Sequence, residues 1–145
     1  MILEAYADYL TARSIRYIHT RYSFDVIIPD GTDSDNDPTT DMDLSSSTTI
    51  SVTISKSGMV TLSTYVGIVN YGIRNARKLT KELESRWPKY KIWPEKYSGY
   101  FEIEVEEVFS YSSVNALHKH VEKMAEMAMM GYEIGKDMLG EIFHQ

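Results

Sequence analysis

Aspartates concentrated in one polar segment are the residues of this sequence that most suggest metal chemistry. Between Asp30 and Asp43 they recur among Ser, Thr, Asn and Pro, with no Lys or Arg between them. Near-alternating carboxylates are typical of calcium loops, in which oxygen ligands surround one cation. The two stricter positions of such a loop do not match, because Pro38 stands where Gly is needed and Leu44 where Glu is needed.

We therefore predict no metal site in this segment and interpret it as a solvated acidic loop, with a calcium-responsive module that uses the loop kept as a third hypothesis. The segment carries the whole net charge, since the chain has 21 acidic and 15 basic residues and six of the acids are these aspartates. A contact between the loop and a basic surface, such as the 74–91 segment, stays open as an alternative.

A second candidate site is the 74–97 segment, where basic and aromatic residues are interleaved. Proteins that bind single-stranded nucleic acid use this combination, because cations follow the phosphates while rings stack on bases. The net charge of −6 argues against a general nucleic-acid binder. Buried tryptophans with solvent-facing lysines would explain the same pattern. A binder of single strands or phosphate ligands is kept as the alternative hypothesis, with Arg77, Lys78, Lys81, Lys89, Lys91 and Trp93 as its residues.

A third candidate is the methionine-rich end of the chain. Met side chains adapt to irregular surfaces and are frequent at promiscuous peptide-binding faces. At helical spacing, Met127 and Met130 fall off the apolar stripe formed by Val121, Met124 and Ala128, which predicts that they are exposed. Packing against the sheet is the other interpretation. The predicted protein-binding residues are Met124, Met127, Met130, Tyr132 and Met138.

Recognisable catalytic chemistry is absent from the sequence. There is no cysteine, no serine elbow, no phosphate-binding glycine loop and no paired His-Glu motif. His118 and His120 are two residues apart on a predicted helix, so they point to different faces and do not form a zinc pair. We predict no catalytic residue, no cofactor and no metal.

The elements that position these residues begin with a β-hairpin. Apolar and polar residues alternate in Thr48–Ser55 and again in Met59–Val66, with a turn at Gly58. A helix is predicted over about 1–14, a second capped by Asn70 and ended by Pro88, and a third capped by Ser112 or Ser113, which Gly131 and Gly135 are expected to bend or split.

Further strands complete the predicted sheet. Short strands are expected at 16–19 and 23–28, and Tyr90–Trp93 should end at Pro94. In Tyr100–Glu107, Phe101, Ile103 and Val105 should face inward and an acidic row outward, namely Glu102, Glu104 and Glu106. The order predicts an α+β fold: an antiparallel twisted sheet of five to six strands with N-terminal, middle and C-terminal helices packed on it.

The chain of 145 residues is expected to form a single domain over 1–145, with a mobile acidic loop at about 30–47. The N-terminus has no basic region, and no apolar run reaches the roughly 18 residues of a membrane span. We therefore expect a cytoplasmic protein without a membrane segment.

This layout resembles the YbjN family, whose fold is that of the type III secretion chaperones. The resemblance rests on the opening helix, the Thr48–Val66 hairpin and the closing helix from Ser113. It also rests on the strand pair at 90–93 and 100–105, and on the middle helix built on Ile73, Ala76, Leu79, Leu83 and Trp87. The aspartate-rich insertion and the methionine-rich tail depart from it.

The resemblance implies a homodimer without enzymatic activity that binds protein segments or regulates sensory transduction. The sequence-based hypothesis is therefore a non-enzymatic, chaperone-like or regulatory module whose partners are itself and an unidentified protein. Nucleic acid is the weaker alternative.

Overall fold

The computed structural model describes residues 1–29 and 47–145. The predicted acidic loop, including the candidate calcium ligands between Asp30 and Asp43, lies outside the described residues apart from Ser47, which begins a strand.

Three helices and seven strands make up the described part of the chain. The helices are α1 (Ile2–Ala12), α2 (Ile73–Arg86) and α3 (Val114–Leu139), and a short 3-10 turn (Gly140–Ile142) follows α3. The strands are β1 (Tyr17–His19), β2 (Phe24–Pro29), β3 (Ser47–Ile54), β4 (Met59–Val69), β5 (Lys91–Tyr97), β6 (Tyr100–Ser110) and β7 (Phe143–His144).

All strands join one antiparallel sheet in the order β1-β2-β3-β4-β6-β5. The two-residue strand β7 pairs with the far end of β4, at Ile68 and Val69. β5 is the edge strand and lies next to β6. The helix α2 therefore connects β4 to a strand that is two positions away in the sheet. The α+β class predicted from the sequence is confirmed, and β7 adds a strand beyond the five to six expected.

A continuous hydrophobic core lies between one face of the sheet and the helices. Alternate strand residues point into it, among them Val52, Leu62 and Val105, each at most 1% exposed. Each fully buried aliphatic side chain contributes roughly 1.5–3 kcal/mol relative to an exposed one. The helices cover this face with Tyr6, Leu10, Leu79, Leu83, Leu117, Val121 and Met124.

Two predicted element ends differ from the structure. Pro94 does not end a strand, because β5 continues to Tyr97 and pairs Pro94 with Ile103. This position tolerates proline since β5 is an edge strand, where a missing N–H leaves no neighbouring strand unpaired. Asn70 does not cap α2, which begins at Ile73, and its side chain instead hydrogen-bonds His144 Nε2 at 3.0 Å.

The closing helix α3 is continuous across both of its glycines. Of the two predicted caps, Ser113 is the one that caps it, because its hydroxyl accepts a hydrogen bond from the Ala116 N–H at 3.1 Å. Gly131 and Gly135 neither bend nor split the helix. A methyl group at Gly135 would lie 2.4 Å from the ring of Phe143, so this glycine permits the close approach of β7 to α3.

Candidate functional site: the helix-free face of the sheet

The sheet is covered on one side only. Among the described residues, all three helices belong to the core on one face, while the outward side chains of β4, β5 and β6 point away from them. Antiparallel sheets tolerate this arrangement because one face can be solvated. We call this surface the helix-free face, and its outward residues are Met59, Thr61, Ser63, Tyr65, Ile68, Lys91, Trp93, Glu95, Tyr97, Tyr100, Glu102, Glu104, Glu106, Val108 and Ser110.

Apolar and aromatic side chains are exposed on the helix-free face. Tyr65 is 45% exposed, Tyr97 41% and Val108 53%. The rings of Tyr97 and Tyr100 stack with centroids 5.2 Å apart at the end of the β5–β6 hairpin. In the register of the sheet, Tyr97 lies beside Tyr100, Tyr65 beside Glu104, and Val108 four residues further along β6, so exposed apolar side chains are distributed along the length of this strand.

One row of side chains runs across the three strands at the centre of this face. Glu104 on β6 pairs in register with Tyr65 on β4 on one side and with Trp93 on β5 on the other. Directly opposite residues of antiparallel strands project to the same face, with Cβ atoms about 4.5–5.5 Å apart. The carboxyl group of Glu104 therefore lies between two aromatic side chains.

Further acids surround this row. Glu102 and Glu106 flank Glu104 along β6, and Glu95 lies opposite Glu102 on β5. Trp93 donates a hydrogen bond from Nε1 to Glu95 Oε1 at 3.1 Å. On the face as defined, Lys91 is the one base, and its Nζ lies 5.1 Å from the centroid of the Trp93 ring.

The carboxyl group of Glu104 has a pKa well above its ordinary value. Burial raises the pKa of its carboxyl to about 8, with further contributions from a hydrogen bond to Glu102 and from repulsion by Glu102 and Glu95. Its Oε2 is buried and has no hydrogen-bond partner among the residues that the structure describes. The surroundings of Glu104 therefore favour its protonated form, and one of its oxygens has no hydrogen-bond partner among the described residues.

The predicted protein-binding methionines lie on the opposite side, in and around α3. Met124 is 0% exposed and Met127 is 1% exposed, so both belong to the core. The prediction that Met127 lies off the buried stripe is wrong. Because α3 packs against the sheet and against α1 and α2, its buried arc is wider than one stripe. Met130 is 50% exposed, while Tyr132 and Met138 are partly buried against the core.

The predicted basic and aromatic residues do not form one surface. Arg77, Lys78 and Lys81 lie on the solvent side of α2, whereas Lys91 and Trp93 project from the opposite face of the sheet. Lys89 Nζ lies 3.9 Å from Glu107 Oε2. The sheet therefore separates the predicted cations from the predicted stacking residue, which itself lies among acids.

Another polar pair in the described ranges, His120 with Glu107, joins α3 to β6. His120 Nδ1 lies 3.1 Å from Glu107 Oε2, and its ring stacks on Phe109. No group of three or more His, Asp or Glu in the described part of the chain is placed to hold a metal ion. No described helix is both long and apolar enough to cross a membrane.

Sequence reasoning found part of the helix-free face. The outward acidic row of β6 was predicted from its period of two. The neighbours of that row were missed, because the register that brings Tyr65 and Trp93 beside Glu104 joins strands far apart in the chain. The exposed aromatic positions in β4 and β5 were the available signal.

Comparison with known proteins places the fold in a class. No family model matches the sequence, and no curated protein matches it. The antiparallel sheet with helices on one face is a YbjN-like α+β fold. A solved structure that shares it is YbjN from E. coli, described as "a putative transcription regulator". The two superpose with a TM-score of 0.61 and 8% sequence identity, over 90% of this chain and 89% of that chain.

Proposed function

We propose that this chain is a non-enzymatic, regulatory protein-binding module that acts as a homodimer in the cytoplasm and uses its helix-free face to contact a protein partner. The observation that carries the proposal is the face itself, on which Tyr65, Tyr97 and Val108 are exposed beside a row of acids. The description of the fold neighbour, "a putative transcription regulator", supports a regulatory role by analogy.

Binding is the activity that this geometry supports best. The helix-free face is built on three long strands, so its side chains are held at fixed spacing before any partner arrives. A preorganised surface loses less conformational entropy on binding than a mobile one. Exposed aromatic side chains supply contact area at low entropic cost, which is why Tyr and Trp are enriched at interfaces.

The experiment that tests partner binding is affinity capture with a matched pair of variants. Val108→Asp places a charge on an apolar residue of the face that is 53% exposed, whereas Tyr22→Asp changes an 84% exposed residue in the β1–β2 turn. We expect a protein that is captured by the wild type and by Tyr22→Asp and is lost with Val108→Asp. Equal capture by all three would overturn the helix-free face as the contact surface.

The proposed homodimer can be tested at an exposed residue of α3. Of the five predicted contact residues, Met130 is the most exposed and is placed to meet a second copy without disturbing the core. Light scattering at low and high salt measures the mass in solution. A dimer at both salt concentrations that becomes a monomer in Met130→Asp supports self-association through α3. A monomeric wild type would overturn it and leave partner binding standing.

A further inference from the structure

We propose that the helix-free face binds a basic protein segment, with an arginine side chain of that segment seated on Glu104 between Tyr65 and Trp93. The inference rests on the proposed protein-binding function and names the chemistry of the partner. It follows from the row of carboxyl and aromatic groups at the centre of the face.

The acidic character of the helix-free face indicates the charge of its partner. The outward side chains of β5 and β6 include four acids and one lysine, with Lys91 opposite Glu106 and the other acids unpaired by any base on the face. A second copy docked through the same face would bring like charges together, which is unfavourable. The face therefore fits a positively charged partner, and self-association belongs to another surface.

Arginine fits the central row better than a simple point charge does. Its planar guanidinium can donate paired hydrogen bonds to a carboxylate and can also stack on aromatic rings. Glu104 offers the carboxyl group, and Tyr65 and Trp93 offer rings on either side of it. The chain already shows that the Trp93 ring accepts a cation, because Lys91 Nζ lies 5.1 Å from its centroid.

The unsatisfied oxygen of Glu104 points to a missing donor. Glu104 Oε2 is buried without a hydrogen-bond partner among the described residues, and an unpaired buried acceptor costs free energy. None of the described groups around it donates a hydrogen bond to this oxygen. Glu102 and Glu106 flank it on β6, Glu95 and Lys91 lie on β5, and Tyr65 lies on β4. A guanidinium would provide the donor and take the place of the carboxyl proton.

Addition of a partner strand at the sheet edge is the less favourable route. The edge strand β5 has Pro94 in its middle, where no N–H is available to a new strand, and the other edge is the three-residue β1. Recognition through side chains on the face avoids both obstacles.

The test uses the full chain and two short blocked peptides measured by calorimetry. In one peptide arginine alternates with alanine, and in the other citrulline, which has the same shape without the charge, replaces each arginine. Glu104→Gln removes the ionisable carboxyl group at the centre of the face, and Glu84→Gln removes an exposed acid from α2 as the matched control. Trp93→Leu removes the ring while leaving Glu104.

We expect the arginine peptide to bind the wild type and Glu84→Gln equally. Binding should weaken by about tenfold or more in Glu104→Gln, in Trp93→Leu and with the citrulline peptide, as loss of a charge-assisted contact requires. The wild-type affinity should also rise between pH 6 and 9, because an ionised Glu104 no longer has to release its proton first, and this rise should vanish in Glu104→Gln.

Equal binding of the two peptides, or binding by Glu104→Gln at wild-type strength, would overturn the inference. If the arginine peptide does not bind the wild type but the captured protein is still lost with Val108→Asp, this inference is wrong and the proposed function stands. If the peptide binds but capture is insensitive to Val108→Asp, the cation site stands and the wider partner surface is wrong.

Discussion

The hydroxyl of Tyr6 lies 2.8 Å from Nδ1 of His118 and joins α1 to α3 across 112 positions of the chain. Both side chains are buried, and the ring of Tyr6 also stacks on Phe24 of the sheet. His118 Nε2 lies 3.7 Å from Glu122, so the arrangement fits a neutral imidazole with its proton on Nε2 and with Nδ1 accepting from the tyrosine. This contact fixes the first helix on the core.

Acid should weaken the fold through His118. Burial is the main cause that lowers the pKa of His118, an effect that Glu122 opposes and Arg13 reinforces. Because the unfolded chain binds the proton more tightly, this contribution to stability is complete above about pH 6.5 and is lost as the pH falls below it. Because the raised pKa of Glu104 acts in the opposite direction over the same range, the effect of His118 is measured by comparing the thermal unfolding midpoints of the wild type and a variant without the imidazole at pH 7 and pH 5, followed by circular dichroism.

His118→Asn provides the comparison, because asparagine keeps an acceptor for Tyr6 and does not titrate. We expect this variant to be less stable at pH 7 but to lose less between pH 7 and 5. Identical slopes for the two proteins would show that other groups cause the acid sensitivity.

Glu104→Gln should stabilise the protein at alkaline pH. The pKa of Glu104 is raised to about 8 in the fold, so its proton is held more tightly there than in the unfolded chain. The contribution of Glu104 to the stability of the wild type is therefore complete below about pH 4.5 and is lost as the pH rises through 8. Glutamine stays neutral, so its unfolding midpoint should fall less between pH 6 and 9. Glu84→Gln on α2 should follow the wild type, and parallel curves for all three would contradict the prediction.

Gly135→Ala should destabilise the protein even though alanine is the better helix former. A Cβ there would lie 2.4 Å from the Phe143 ring, and the resulting displacement should cost about 1–3 kcal/mol. Gly131→Ala is the matched control, because its Cβ would lie 3.1 Å from Val66 Cγ1 and needs a smaller adjustment. Urea unfolding measures both variants, and a more stable Gly135→Ala would show that β7 does not need this contact.

Two methionines three residues apart should respond in opposite ways to aspartate. Met127→Asp buries an unpaired charge in the core and should prevent stable folding, at a cost above about 4 kcal/mol. Met130→Asp places the charge on a half-exposed position and should leave the fold intact. Circular dichroism spectra distinguish the two, and a well-folded Met127→Asp would contradict the placement of Met127.

The sequence predicted local elements well where a period was present. The predicted strand Thr48–Ser55 differs from β3 by one residue at each end, and the predicted strand Met59–Val66 begins where β4 begins. Both were predictable because alternation of β-branched and polar residues defines the two faces of a strand without distant contacts. Ser113 was identified as a helix cap for the same reason, since capping depends on the adjacent backbone. The prediction for Pro94 failed because whether proline is tolerated depends on whether the strand lies at an edge.

The sequence by itself determined the α+β class, the hairpin and the outward acidic row of β6, since these depend on periodicities within a few residues. The tertiary structure decided that Met127 is buried, that Trp93 and the α2 cations lie on opposite sides of the sheet, and that Glu104 lies between Tyr65 and Trp93. These relationships depend on strand register and helix docking between distant segments. Such contacts are selected by the packing of the whole core and leave no periodic signal in any one segment.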